Sequence, residues 1–268
     1  MYELVSFNNQ IVAAGDASVS CLSSAAIYGK GIFTTVAVYD GKPFLWEKHW
    51  RRLRDNPAKL GIDTSYFSEA AVKDSLNKII KENEFVHGRA RITFFDEAPS
   101  AIWPFGGQLK TSILITTADF RGISDDFKLT VSPFLLNSTS PLAGIKSCNY
   151  LEKILALNEA KDKGFDEAVC INERGEITSA CMANIFWLKD RTLFTPTLKT
   201  GCLAGTTREH VLENVDCFEV LEGLESLRTA DAIFLTSAGI GVVQTAEIDG
   251  RKLPKIDHAI LNLSPGSN

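Results

Sequence analysis

Lys146 stands in a sequence context that suits a nucleophilic amine. It lies within the segment 141–150, after an apolar run and before a helix predicted over 149–163. Burial disfavours the charged form of a lysine, and the neutral amine attacks carbonyl groups. A lysine at the start of a helix can equally extend its charged end to solvent. The position of Lys146 alone leaves both roles open.

A second segment, 203–209, combines the features of a phosphate site. Gly205 permits a ligand to approach closely, and Thr206 and Thr207 supply hydroxyl groups. The helix predicted to follow offers backbone N–H groups at its start. An ordinary threonine helix cap would give the same pattern.

Arginine residues in the segment 49–53 could complete such a site. The guanidinium of Arg52 could bind a phosphate through two parallel hydrogen bonds. The alternative is that the segment forms the solvent face of an amphipathic helix.

The elements that must position these residues fall into two predicted domains. Residues 1–118 alternate strands and helices, which predicts a small α/β domain. Residues 119–126 are polar and form the predicted linker, and residues 127–268 form a larger, strand-rich domain. Strands are predicted at 3–7, 10–14, 31–39, 44–46, 89–95, 110–117, 128–133, 167–172, 185–189, 192–194, 218–221, 232–236 and 242–248, and helices at 46–61, 68–84, 149–163 and 203–214.

Composition excludes several classes of protein. The formal net charge is −5 and the basic residues are scattered, so no nucleic-acid partner is expected. The six cysteines form no C-x-x-C pair and the four histidines are dispersed, so no metal site is expected. No apolar stretch reaches the roughly 18 residues of a membrane span, and no signal peptide is recognisable. These features predict a globular, cytoplasmic protein.

Several segments, taken together, resemble the class IV aminotransferases, which are fold type IV pyridoxal phosphate enzymes. The order and spacing of the motifs agree from about Tyr28 to Gly250. Those motifs are Tyr28-Gly-Lys-Gly-Ile-Phe-Thr34-Thr35, His49-x-x-Arg52-Leu53, Gly144-Ile-Lys146-x-x-Asn149, Asp166-Glu167-Ala168, Ala183-Asn184-Ile-Phe186, Thr195-Pro196 and Gly205-Thr-Thr-Arg208. Within the family, three stretches look most like aminodeoxychorismate lyase, namely Phe33–Thr35, Leu142–Lys146 and Asn149–Glu152.

The resemblance implies a fold and a set of cofactor contacts. The fold would be that of D-amino acid aminotransferase: two domains of α/β and α+β type, a small α/β domain and a larger one with a barrel-like β core. The active site would lie between the domains, near the interface of a homodimer. Lys146 would hold pyridoxal 5'-phosphate as a Schiff base and move the α-proton of the substrate. The remaining implied cofactor contacts are Arg52, Thr206 and Thr207 at the phosphate, Ser237 and Ala238 lining it, and Leu203 against the ring.

The substrate side is less well defined by the resemblance. Arg91 could bind a carboxylate, and Tyr28 and Tyr150 could line the same side of the site. Each of the three could equally be a residue without a catalytic role.

The chain departs from the family pattern at Ser179. Five residues before Asn184, the family usually has a glutamate that binds the pyridine nitrogen of the cofactor. A carboxylate there favours the protonated ring, which withdraws electrons strongly, whereas a hydroxyl adds no charge. Elimination depends on this withdrawal less than transamination does. The hypothesis is that Ser179 biases the enzyme toward elimination.

The implied reaction is a lyase reaction of folate biosynthesis. It would convert 4-amino-4-deoxychorismate to 4-aminobenzoate and pyruvate. Two alternatives stay open from the sequence. One is an aminotransferase for D-amino or branched-chain amino acids, and the other is a non-catalytic protein that binds pyridoxal phosphate or another small ligand.

Overall fold

The structure is a computed structural model, and it describes residues 1–100 and 109–263. The chain divides into two compact units. Unit 1 comprises residues 1–120 together with 146–149, and unit 2 comprises residues 121–145 and 150–268.

Unit 1 is built on one antiparallel sheet with helices beside it. Its elements are β1 (Leu4–Phe7), β2 (Gln10–Ala13), α1 (Ser24–Tyr28), β3 (Gly31–Tyr39), β4 (Lys42–Pro43), α2 (Trp46–Asp55), α3 (Glu69–Glu82), β5 (Gly88–Asp96) and β6 (Thr111–Ala118). The strand order is β2-β1-β6-β5-β3-β4. Helix α3 packs on β1 and β6, and α2 packs on β3.

A tight turn joins the first two strands of the sheet. Asn8 and Asn9 both have positive φ, of 50° and 65°, and join β1 to β2. This backbone matches the twist of the two strands it connects. The predicted strand at 31–39 is confirmed as β3, whose β-branched and aromatic residues are almost all buried.

Two predictions in unit 1 are wrong, one at a turn and one at a proline. The strand expected at 44–46 is instead the short β4, because Trp46 already begins α2. The helix expected over 46–61 ends at Asp55, and Pro57–Leu60 continues as a 3-10 helix. Proline cannot donate the backbone hydrogen bond that a continuing helix needs.

Unit 2 contains two five-stranded sheets around a shared core. Its elements are β7 (Lys128–Val131), α4 (Leu151–Asp162), β8 (Glu167–Ile171), β9 (Ile177–Ala180), β10 (Asn184–Lys189), β11 (Thr192–Pro196), α5 (Thr206–Asn214), β12 (Cys217–Val220), α6 (Glu225–Arg228), β13 (Ala232–Ser237), β14 (Gly241–Gln244), β15 (Glu247–Ile248) and β16 (Arg251–Lys252). The strand orders are β12-β11-β10-β13-β14 and β16-β15-β7-β8-β9. Leu129 and Val169 of one sheet share a buried apolar cluster with Ile185 and Ile233 of the other.

The strand predicted over 242–248 is divided between these two sheets. Thr245 donates its backbone N–H to the oxygen of Ile233, and Ala246 donates to the oxygen of Phe127, the residue before β7 of the other sheet. The chain therefore changes sheets at this point. This change gives the separate strands β14 and β15.

The segment 146–149 belongs to unit 1 although it follows more than twenty residues of unit 2. Phe33 donates its backbone N–H to Lys146 O at 2.9 Å, and Cys148 donates to Gly31 O at 2.8 Å. This edge of β3 is open to the segment because β4 pairs only with Val38 and Tyr39. The predicted division into residues 1–118, 119–126 and 127–268 does not include this return of the chain to unit 1.

In the described part of the chain, every helix is too short or too polar to cross a membrane. The same residues contain no group of three or more histidine, cysteine or acidic side chains that could hold a metal ion.

Candidate functional site

Arg52 is held in unit 1 by a buried polar chain. Its Nη2 donates to Thr34 Oγ1, and Thr34 Oγ1 lies 2.7 Å from His49 Nδ1. Arginine can only donate, so the contact uses a lone pair of Thr34 and leaves the hydroxyl hydrogen for His49. Thr34 and His49 are both buried. The arrangement fixes the first turns of α2 against β3 and orients the guanidinium of Arg52.

His49 is neutral in this chain of contacts. Burial holds its pKa well below the usual range, and the positive charges of Arg52 and Lys146 lower that pKa further. The positive charges of Arg52 and Lys146, both predicted site residues, therefore act on the buried imidazole of His49. His49 and Thr34 entered the sequence argument only as motif residues. Their signal was a polar residue among the buried residues of each element, Thr34 in β3 and His49 between Trp46 and Leu53 in α2.

Lys146 is half-buried, and its ammonium lies against an aromatic ring. Its Nζ lies 4.5 Å from the centroid of Phe33. The ring attracts the positive charge and limits the side chain to one side of β3. The backbone of Lys146 is fixed to the same residue through the hydrogen bond from Phe33 N–H. Phe33 thus positions both ends of this lysine, a role that its motif did not reveal.

Arg91 meets the same aromatic ring. Its guanidinium carbon lies 3.6 Å from the centroid of Phe33, and its Nε donates to Thr93 Oγ1 at 3.2 Å. Arg91 is exposed, so its remaining donors can reach a ligand. The structure therefore brings Lys146 and Arg91 together around Phe33. Such a pair can hold a carbonyl compound through the amine and a carboxylate through the guanidinium.

The two tyrosines are placed separately. Tyr28 is the last residue of α1 in unit 1 and is exposed. Tyr150 directly precedes α4 in unit 2 and is half-buried. Their role on the substrate side stays a prediction.

In unit 2, Thr206 and Thr207 form the first turn of α5 and are buried. Gly205 is the residue before the helix, and a methyl group there would overlap Asn184 Oδ1. Asn184 in turn donates its Nδ2 to Leu203 O at 2.8 Å. This one asparagine therefore holds the loop before α5 so closely that only glycine fits.

The same asparagine aligns the loop with the end of β13. Asn184 pairs in register with Thr236, the residue before Ser237 and Ala238. Within the described residues, the buried Thr236 Oγ1 has no hydrogen-bond partner. A buried hydroxyl without a partner is costly, and a ligand with polar oxygens would satisfy it. Asn184 thus links Leu203 to the end of β13, whose last residue is Ser237, while Thr206 and Thr207 begin α5 directly after Gly205.

Arg208 of the same motif has a structural role. It is buried, and its Nη2 donates to Pro196 O at 2.8 Å and to the carboxylate of Glu219. These contacts tie α5 to β11 and β12. The arginine thereby fixes the position of the helix whose first turn carries the two threonines.

Ser179 lies on β9, buried and paired in register with Cys170. The Oγ of Ser179 accepts a hydrogen bond of 3.4 Å from Lys153 Nζ on α4. Neither β9 nor a role for Lys153 was predicted from the sequence. The signal for the strand was a hairpin turn at Gly175, which has a φ of 78°, followed by two β-branched residues.

Comparisons with known proteins identify the family of this chain. A family model described as amino-transferase class IV matches residues 31–248. An aminodeoxychorismate lyase of Bacillus subtilis is 27% identical over 255 residues, covering 92% of this chain and 87% of the relative. A putative branched-chain-amino-acid aminotransferase of Methanocaldococcus jannaschii is 29% identical over 252 residues, covering 91% and 87%.

The fold is also that of a solved structure. A branched-chain amino acid aminotransferase of T.th., solved with pyridoxamine 5'-phosphate, superposes with a TM-score of 0.88 at 21% identity, covering 98% of this chain and 92% of the other. The expected fold type, with its mixed α/β and α+β organisation, is confirmed.

Proposed function

The chain belongs to the class IV aminotransferase family, and we propose that it is a lyase that converts 4-amino-4-deoxychorismate to 4-aminobenzoate and pyruvate. Enzymes of this family use pyridoxal phosphate, so the chain is a pyridoxal phosphate-dependent enzyme. The lyase assignment is supported by the relative from Bacillus subtilis. The observation that carries it is Ser179, which stands in the sequence where the family usually has a glutamate and whose hydroxyl accepts a hydrogen bond from Lys153. A hydroxyl adds no charge to the cofactor ring, so it strengthens electron withdrawal less than a carboxylate would.

The residues of both units fit this cofactor. In unit 1, Lys146 offers a primary amine held against Phe33, and Arg52 offers an oriented guanidinium. In unit 2, the Thr236 hydroxyl, which lacks a partner among the described residues, and the first turn of α5 suit a phosphate group. We assign covalent attachment to Lys146 and a phosphate contact to Arg52. We also assign phosphate contacts to Thr206, Thr207, Ser237 and Ala238, and packing against the ring to Leu203.

The reaction needs one proton moved at the substrate α-carbon. The bound cofactor withdraws electrons from that carbon and makes its proton acidic. Lys146 Nζ would take this proton and later return one, since a single amine near the reacting carbon can do both. Arg91 would bind a carboxylate of the substrate, and Tyr28 and Tyr150 would border it. Neutral His49 adds no charge beside the two cations of unit 1.

A class IV aminotransferase acting on branched-chain or D-amino acids is the second candidate. It is favoured by the archaeal relative, whose identity of 29% slightly exceeds that of the lyase. Both reactions begin with removal of the α-proton, so Lys146 serves either.

We also propose that the enzyme is a cytoplasmic homodimer. Leu151, Ile154 and Leu155 form an exposed apolar stripe on α4 in unit 2. An apolar patch of this kind suits a second copy of the chain. Light scattering of the wild type and of Leu155→Glu would show a dimer that weakens in the variant, whereas a wild-type monomer contradicts the proposal.

Product analysis separates the candidates. The enzyme would be supplied with 4-amino-4-deoxychorismate, and in parallel with D- and L-amino acids and 2-oxoglutarate. The proposal predicts 4-aminobenzoate and pyruvate in equal amounts in the first reaction. Faster glutamate formation in the second reaction would replace the lyase assignment with the aminotransferase. Absence of both products, with a visible cofactor band present, would contradict both assignments.

A further inference from the structure

Lys153 lies on the buried face of α4, an unusual place for a lysine. Together with Ala156, Leu157 and Ala160 it occupies positions i, i+3, i+4 and i+7, the spacing of one helix face. The three apolar residues of this face are buried. The side chain of Lys153 therefore points toward the sheet, where its Nζ reaches Ser179 Oγ.

The groups around Lys153 keep it charged. Burial by itself lowers the pKa of Lys153, but nearby Cys170, Tyr150, Cys181 and Glu167 outweigh that effect and raise it. The proton that makes Lys153 a cation is thus retained inside unit 2. An ammonium can only donate hydrogen bonds.

Glu167 is the acidic group of this cluster. It is buried, and its Oε1 accepts from the backbone N–H groups of Cys181, at 3.1 Å, and Ala168, at 3.2 Å. Burial raises the pKa of Glu167, and those hydrogen bonds oppose the rise. The side chain of Glu167 is therefore held by the backbone of β8 and of the residue after β9, and it contributes to the raised pKa of Lys153.

The direction of the hydrogen bond has a consequence for Ser179. Because Lys153 donates to its oxygen, the hydroxyl hydrogen of Ser179 is free to be donated onward. We propose that Lys153 is a positioning residue that turns the Ser179 hydroxyl toward the ring nitrogen of pyridoxal phosphate, so that this nitrogen accepts a hydrogen bond and stays unprotonated. This inference rests on the proposed function, in which Ser179 faces that nitrogen.

The cation also changes what a restored carboxylate would do. In Ser179→Glu the new carboxylate would meet the Lys153 ammonium and pair with it, which removes much of its effect on the ring. In the double variant Ser179→Glu with Lys153→Met, the carboxylate would face the nitrogen without a competing cation. The double variant, more than the single one, should therefore gain transamination relative to elimination.

Nitrogen NMR of the holoenzyme tests the inference without measuring activity. Each protein is loaded with pyridoxal phosphate labelled with ¹⁵N in the ring, and the resonance is followed as the pH is lowered. Free labelled cofactor calibrates the protonated and unprotonated positions. The wild type should remain at the unprotonated position at neutral pH. Lys153→Met should become protonated at a higher pH than the wild type, and Lys153→Arg should follow the wild type.

Two further variants complete the test. Lys161→Met removes an exposed lysine of the same helix and should behave as the wild type. Ser179→Ala replaces one small side chain by another and should move the unprotonated resonance away from the protonated position, because the hydrogen bond is lost.

The possible failures are distinguishable. A wild-type nitrogen that is protonated at neutral pH overturns the inference, and so does a Lys153→Met titration that matches the wild type. A protein that takes up no cofactor at all overturns the proposed function instead, and the inference with it.

Discussion

Lys146 in unit 1 and Lys153 in unit 2 are both partly buried, and the groups around the two lysines differ in the sign of their charge. Lys146 of unit 1 lies against Phe33, near the cations Arg91 and Arg52 and a neutral His49. Lys153 of unit 2 lies among a serine, a carboxylate and thiols. Positive neighbours disfavour a further positive charge, and negative neighbours favour it.

The contrast explains how one chain can use two lysines for different purposes. Lys146 is half-buried against Phe33 and beside other cations, and its amine is the one that we assign as the nucleophile. A lysine among acidic groups stays charged and acts as a hydrogen-bond donor. The residue type is the same, and the environment supplied by each unit decides the chemistry.

The largest expected effect separates the two lysines directly. Lys146→Ala should lose covalent attachment of pyridoxal phosphate and reduce turnover by at least 10²–10⁴-fold, roughly the range for a lost acid–base group. Lys153→Ala should keep the visible cofactor band and its loss on borohydride reduction. Absorbance spectra and turnover assays of both variants check this, and the reverse pattern would refute the assignment of the two lysines.

The next effect concerns Arg52, whose positive charge, like that of Lys146, lowers the pKa of the buried His49. Arg52→Gln removes a charged donor to the proposed phosphate. A charge-assisted hydrogen bond contributes about 1.5–3 kcal/mol, so the dissociation constant of pyridoxal phosphate should rise roughly 10- to 100-fold. Fluorescence titration of the apoenzyme measures it. Arg54→Gln on the same helix is the control, since Arg54 is exposed and pairs with neighbouring Asp55. An equal effect of both variants would remove Arg52 from the site.

Gly205→Ala probes the close packing of the loop before α5 in unit 2. The new methyl group would meet Asn184, and forcing extra volume into a packed site costs about 1–3 kcal/mol. Urea unfolding should show this loss of the free energy of unfolding. In Gly122→Ala, a control in the same unit, a Cβ meets nothing within 4 Å among the described residues. If both variants were equally stable, the close packing at Gly205 would be disproved.

The smallest expected effect is a dependence of the free energy of unfolding on pH, caused by His49. Its folded-state pKa lies below the unfolded value of about 6.5, so below that pH the unfolded chain binds more protons. The free energy of unfolding should therefore fall as the pH decreases from about 6.5, by at most about 1.4 kcal/mol per pH unit, until the folded-state pKa is reached. In His49→Gln this contribution should vanish. Urea unfolding between neutral and mildly acidic pH measures the difference, and parallel profiles would contradict a neutral, buried His49.

Much of the fold was predictable where local signals were strong. The strand at 31–39 is confirmed at both ends. The helix predicted at 68–84 is found as α3, and Ser68 caps it by accepting from Ala71 N–H at 3.2 Å. The return of the segment 146–149 to β3 was not predictable, because no local pattern records which strand edge is open. Tertiary pairing decides such placements.

The residues of the proposed site also differ in whether the sequence predicted them. The proposed cofactor residues were found through motifs, whereas Lys153 was not, because its partner Ser179 lies 26 residues further along the chain. A signal for its burial did exist. Lys153 continues the stripe of Ala156, Leu157 and Ala160. A lysine in an apolar stripe needs a hydrogen-bonding or charged partner, because an unpaired buried charge is costly.

The most direct test of the contrast between the two lysines is to locate the attached cofactor. The holoenzyme is reduced with borohydride and digested, and the peptide that carries the phosphopyridoxyl group is identified by mass spectrometry. We predict that the group is found on Lys146, in one defined peptide. Attachment at Lys153, or labelling spread over exposed lysines, would contradict the contrast.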